Sequence, residues 1–302
     1  MSEHYPRVRI NSSHGDGEKG NLCIRESVSI TFYMKRSHQE VVHQVMQALE
    51  VYRRAVGPQA LLWYCDQFSG EWEELDDKGW TILRRQLLED CAAHHWLRES
   101  PGETTGYEFI YEGLLLEAYE RDPASGVSFF VPTEYLEEHG PGRVRELALE
   151  LAAELPFDSG HVGLCFHAPT IILGVTQRIR DLCFRYPGMD IADLHCTSIG
   201  TRVDGVHWLN FLGQPVLGEL GGTAGLRARL HSPGTTVQEL DGGRALVTPG
   251  TWPEAGDTEQ GHTLPAYREL ARVLEPWLYM ERACWGGFSE EDMRRWERRF
   301  LD

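Results

Sequence analysis

The 302-residue sequence is short of basic charge: 29 lysines and arginines stand against 46 aspartates and glutamates, a net of −17 with histidines neutral. Affinity for nucleic-acid phosphates comes largely from lysine and arginine, so direct binding to DNA or RNA is not the expected role. An anionic membrane surface is repelled for the same reason. The ~18 consecutive apolar residues of a membrane span are missing, and the polar stretch Met1 to Gly20 has no apolar core of signal-peptide type. The seven cysteines (Cys23, Cys65, Cys91, Cys165, Cys183, Cys196, Cys284) are odd in number and widely spaced, with no Cys-x-x-Cys. Several sit in apolar runs such as Leu164-Cys165-Phe166, the pattern of reduced core thiols in a reducing compartment. The expected location is the cytoplasm.

Recognisable catalytic motifs are also lacking. His94, His95, His161, His167, His195, His207 and His262 invite a metal, yet His-x-x-x-His and His-Glu-x-x-His spacings are absent, and zinc sites usually need close pairs. Asp158-Ser159-Gly160-His161 has hydrolase residue types without a Gly-x-Ser-x-Gly elbow. Thr197-Ser198-Ile199-Gly200 and Glu219-Leu220-Gly221-Gly222-Thr223 are not phosphate loops, because no Lys-Ser or Lys-Thr follows the glycines. Gly256-Asp257-Thr258-Glu259 offers two carboxylates on a loop, too few for a cation cage. We therefore expect no catalytic residue, no cofactor and no metal.

What is present is the patterning of an α+β protein, with mostly antiparallel sheet packed by amphipathic helices. Residues 1–20 are polar and glycine-rich and are expected as a flexible arm, followed by a single α+β domain over 21–302, or two sub-lobes meeting near 140–160. Leu22 to Met34 alternates as a strand. Ser37-His38-Gln39-Glu40 is a capping box opening a helix that Gly57-Pro58 ends. Leu61 to Cys65 is a short strand. Leu83, Leu87, Cys91 and His95 recur at i, i+4 and predict a helix from Gly79 to Arg98. Tyr107–Tyr111, Leu114–Tyr119 and Val127–Val131 are expected as strands. Further helices are expected after Gly140-Pro141-Gly142, from Pro169 through Ile172, Leu173 and Cys183, near Gly225–Leu230, at Pro265–Leu274, and after the N-cap Ser289. Strands are expected at His161–His167, Thr236–Leu240 and Ala245–Thr248.

One acidic run differs in kind from the rest. Glu71-Trp72-Glu73-Glu74-Leu75-Asp76-Asp77 sets Trp72 and Leu75 among five carboxylates. An aromatic anchor ringed by charge is a common interface hot spot, and acids in a row can meet a basic groove as phosphates would. A solvated hairpin loop with Trp72 packed inward explains the same residues. Glu71, Trp72, Glu73, Glu74, Asp76 and Asp77 are the candidate partner-binding residues.

An ordered set of blocks then points to a family. Tyr186-Pro187-Gly188-Met189-Asp190, Gly205 to Leu212, Leu220-Gly221-Gly222, Pro249 to Asp257 and Leu264 to Arg268 together resemble the bacterial type VI secretion immunity family. Those proteins are paired with VRR-NUC and other restriction-endonuclease-fold nuclease toxins. The resemblance is densest from about 160 to 275. It implies a non-catalytic cytoplasmic inhibitor of a basic nuclease toxin, acting by occlusion of its DNA site, with Trp208, Gly221, Gly222, Pro253 and Tyr267 as framework. Two other readings stay open: an enzyme using His161 or His195 with a nearby carboxylate, and an adaptor of the secretion machinery.

Overall fold

The computed structural model describes residues 3–13, 19–170, 172 and 174–302. Its strands are β1 Arg9–Ser13, β2 Lys19–Met34, β3 Trp63–Cys65, β4 Trp72–Glu74, β5 Ala93–Arg98, β6 Glu108–Gly113, β7 Ser125–Pro132, β8 Ser159–His167, β9 Met189–Ile191, β10 Leu209–Leu212, β11 Thr236–Leu240 and β12 Arg244–Thr248. The helices are α1 His38–Val56, α2 Asp77–Glu89, α3 Thr133–Glu154, α4 Val175–Arg185, α5 Val216–Glu219, α6 Gly222–Arg227, α7 Pro265–Leu274 and α8 Glu290–Glu297. The strands join one 12-stranded sheet in the order β11-β12-β10-β8-β2-β7-β6-β5-β3-β4, with β1 on β2 and β9 on β8. Among the described strands every pairing is antiparallel except β8 with β9. The α+β class is as the sequence patterning predicts.

Residues directly opposite each other in a ladder share a face, so the register separates the sheet's two sides. On one side Val28, Ile30 and Phe32 align with Val131, Phe129 and Val127, then with Phe109, Tyr111 and Leu97. All are buried, and α1 and α3 pack over this side. Here α1 contributes Val41, Val45 and Tyr52, and the second half of α3 contributes Val144, Leu147 and Leu151. The other side of the same central strands is polar and small: Ser27, Ser29, Thr31, Ser128 and Asn210 are all buried. Segments from the C-terminal half cover it.

Local signals account for several element ends. The Glu40 carboxylate accepts from the Ser37 backbone N–H at 2.8 Å, closing the N-terminus of α1. Ser289 and Asp292 do the same reciprocally for α8, at 3.1 and 2.9 Å. Gly221 and Gly222 have φ of +83° and +69°, a left-handed turn between α5 and α6 that side chains rarely adopt.

Three expectations are corrected. The helix predicted over Gly79–Arg98 ends at Glu89, and Ala93–Arg98 is strand β5. There His95 and Leu97 are buried while His94 is exposed, a period of two that the i, i+4 leucine spacing concealed. The strand expected at Leu114–Tyr119 is a loop with a 3₁₀ turn at Leu116–Ala118, leaving Leu115 and Tyr119 exposed. The helix expected to start after Pro169 begins at Val175, and Ile172 precedes it, exposed. Ile171, Leu173, residues 1–2 and residues 14–18 lie outside the described residues.

The part of the expected arm that is described is packed. Tyr5 and Val8 are buried. The fully buried Glu26 carboxylate accepts from the Val8 N–H at 2.8 Å, from Arg7 at 3.1 Å and from Arg9 at 2.5 Å.

Candidate functional site

The acidic run forms the outer rim of the sheet. Trp72–Glu74 is the terminal strand β4, and Glu71, Glu73, Glu74, Asp76 and Asp77 are all exposed. Asp76 has a second duty: its Oδ1 accepts from the Gly79 N–H at 2.8 Å as the N-cap of α2. Leu75 is buried in the core. The register places Trp72 opposite Cys65 and Glu74 opposite Trp63, on the side of the sheet away from the helices.

Trp72 is half-buried and forms one wall of a 480 Å³ groove on that side. Trp96 of β5, Ile110 of β6 and Phe130 of β7 line its floor, and Ile172 and Leu194 its far wall. The Arg98 guanidinium lies 5.1 Å from the Trp72 ring and 5.6 Å from the Trp96 ring. Arg98 is itself held, donating from Nε to Glu108 Oε1 at 2.6 Å. The other oxygen of Glu108 meets His167 Nε2, and the His167 ring stacks on Phe130 with centroids 4.4 Å apart. Burial opposes ionisation of Glu108, but Arg98 and the His167 hydrogen bond more than offset it and hold its pKa below the ordinary carboxylate value. The helix expected over Gly79–Arg98 hid Trp96 and Arg98 from the sequence reading. The alternation His94-Trp96-Arg98 was the signal that could have found them.

The histidines behave differently. His161 on β8 is 5% exposed and stacks on His207, with centroids 3.9 Å apart and planes 14° apart. Gly163 makes room for this: a Cβ there would stand 3.1 Å from His207 Cδ2. His207 Nε2 meets Asp190 Oδ2 at 2.9 Å, and Arg299 Nη2 donates to Asp190 Oδ1 at 3.3 Å. Alongside, Asp204 accepts from Arg282 and, at 2.8 Å, from the Tyr33 hydroxyl. His195 Nε2 accepts from Arg282 Nε at 3.1 Å and lies 3.8 Å from Asp204. Burial, then the neighbouring His207, pushes the His161 pKa down to about 3. Burial disfavours the charges on Asp190 and Asp204, yet Arg299 and Arg282 respectively keep both below the ordinary range.

His161, Asp190 and His207 present ligand-type atoms within 4.8 Å of one another, a grouping that their wide sequence separation concealed. Rings stacked nearly parallel aim their in-plane lone pairs side by side, so the two do not converge on one tetrahedral ion. What the arrangement does do is tie the chain's end, through Arg282 and Arg299, to the polar side of the sheet. Asp257 and Glu259 are both engaged by Arg185, at 2.9 and 2.7 Å.

Of the framework residues, Trp208, Pro253 and Tyr267 are buried, and Trp208 Nε1 donates to Gly250 O at 3.0 Å. Among the described residues, no helix is long and apolar enough to cross a membrane.

Comparison with known proteins agrees with the resemblance drawn from the sequence blocks. The fold is similar to that of the Pseudomonas aeruginosa T6SS protein PA0821, with a TM-score of 0.82 at 19% identity, over 98% of this chain and 88% of that chain. No curated protein matches in sequence. The model of the TsiV family, described as type VI immunity for VRR-NUC, matches residues 44–300. The chain belongs to this family of type VI immunity proteins for VRR-NUC.

Proposed function

We propose that the protein binds and neutralises a cognate VRR-NUC nuclease toxin in the cytoplasm, without catalysis, by occluding the toxin's DNA-binding and active site. The family match over residues 44–300 carries this reading, and the charge supports it. A nuclease holds DNA through cationic side chains. A chain of net charge −17 attracts such a partner over long range and repels nucleic acid itself. The carboxylates of Glu71, Glu73, Glu74 and Asp77 are exposed along the terminal strand and at the start of α2, with Glu73 and Glu74 on opposite faces, where a basic groove would meet them in place of phosphates. Asp76 contributes charge while serving as a cap.

The buried network around His161 and His195 fits a structural role better than an enzymatic one. A general base must reach its substrate, and His161, Asp190, Asp204 and His207 are each at most 5% exposed. The test is capture of the partner from native cells, followed by a nuclease assay. A stoichiometric VRR-NUC partner that cuts DNA only after separation from this chain establishes the reading. A captured toxin that cuts equally well in the complex overturns it.

A further inference from the structure

We infer that the groove between Trp72 and Leu194 is the socket for an aliphatic or aromatic side chain of the toxin, carried beside a basic one. The inference rests on the immunity reading for the identity of the partner and goes beyond it in placing the anchoring contact.

The covering of the sheet is uneven. Over the central strands the second side lies under C-terminal segments, but from β7 outward it opens into a 480 Å³ groove. Across its floor Trp96 pairs with Ile110 and Ile110 with Ser128, Phe130 lies one pair further along beside Glu108, and Ile172 stands at the wall 53% exposed. That volume lies within the range of sites that hold a small ligand, enough for a buried side-chain anchor. The Trp96 indole N–H is buried and has no hydrogen-bond partner, so the floor carries an unmet donor beside its apolar surface.

The charge in the groove is one-sided. Arg98 is committed to Glu108, and His167 shares the same carboxylate. Glu112 and Asp193 also line the groove, and neither has a lysine or arginine partner among the described residues. The nearest cationic candidate to Glu112 is His94 Nδ1, 3.6 Å from its Oε1. A basic side chain entering beside an apolar one therefore finds uncompensated carboxylates.

The groove is also continuous with the acidic edge, because Trp72 belongs to both. Arg98 sits near both tryptophan rings and fixes them before binding, which lowers the ordering cost of association. Tryptophan and arginine are the residue types most enriched at energetic hot spots. A toxin steered by the exposed carboxylates would meet this socket next.

The test measures affinity for a catalytically inactive VRR-NUC toxin, with thermal melting of each variant as the control for folding. Trp96→Ala is expected to weaken binding at least tenfold, chiefly through faster dissociation. Ile172→Arg, at an exposed position, should do the same without moving the melting temperature, and Asp193→Lys should do the same with at most a small drop from the lost Trp285 hydrogen bond, so a poorly folded Trp96→Ala does not decide the matter. Wild-type affinity in Ile172→Arg and Asp193→Lys overturns the socket and leaves the immunity reading standing. Failure of the wild-type chain to bind the toxin overturns both. A concentration-dependent dimer that Ile172→Arg abolishes, with toxin affinity unchanged, assigns the groove to a second copy and also overturns the proposal.

Discussion

The imidazoles of His161 and His207 lie face to face, 3.9 Å between centroids, beneath the segments that close the polar side of the sheet. Two stacked rings in a buried site cannot both carry a proton without repulsion, and His161 is pushed down to about 3. His95, on the opposite side of the sheet, is pushed down to about 4 by burial and by His38.

A pH dependence follows. Above pH ~6.5 the His161 and His95 rings are neutral in folded and unfolded chains alike. Below it the unfolded chain takes up protons that the folded chain refuses, so stability falls as pH falls, by ~1.4 kcal/mol per pH unit for each ring. Glu112 and Asp158, whose pKa values are raised by burial, work in the opposite sense. Urea midpoints from pH 8 to 5 should fall on the acid side, before ordinary carboxylates titrate. Neither His95 ring nitrogen has a hydrogen-bond partner, so His95→Leu should reduce the acid slope at no loss of stability at pH 7. A midpoint that is flat down to pH 5 contradicts this account.

Asp204 and Arg282 form a buried ion pair, each side chain no more than 3% exposed. Removing one partner strands the other. Asp204→Ala should cost ~3–5 kcal/mol in denaturant unfolding, because Arg282 is left charged and buried. Asp204→Ala combined with Arg282→Met should recover a large part of that loss. Equal losses in the single and double variants would show that the pair itself is not what holds the tail.

The N-terminal segment makes a similar prediction. Glu26 is fully buried and reaches Arg7 and Arg9 across the start of the chain. A chain beginning at residue 14 strands that carboxylate and should lose ~3–5 kcal/mol, measured as a shifted denaturant midpoint. An unchanged midpoint would mean that the segment is dispensable.

How much of this was legible follows from how local each signal is. Strand β2, helix α1, helix α7 and the capped start of α8 are written in adjacent residues: alternation, a capping box, a first-turn proline. Strand β5 was not, because Leu83 and Leu87 set a helical period that Cys91 and His95 continued past the break at Asp90. The Glu26 cluster was hidden because its partners come from two distant segments, Arg7 and Arg9 before β2 and Thr133 at the start of α3. At the candidate site the carboxylates and Trp72 stood out, since charge and an aromatic are visible in a row. The groove did not, because its walls come from β4, β5, β6, β7 and the segments after β8. The histidine network was visible only as scattered residues.

The acidic edge makes a kinetic prediction. Glu71→Lys, Glu73→Lys and Glu74→Lys together should slow association with the toxin by an order of magnitude or more at low salt, and flatten its salt dependence, with melting unchanged. Asp76 needs separate treatment. As the α2 cap it should cost ~1 kcal/mol when replaced by alanine, whatever its role in binding. An unchanged association rate in the triple variant would move the contact elsewhere.

Competition between this protein and DNA for a catalytically inactive VRR-NUC toxin tests the central claim most directly. Occlusion predicts that the apparent Kd for the toxin rises in proportion to added DNA, with no ternary complex at any concentration. A stable complex of toxin, DNA and this protein together would contradict it.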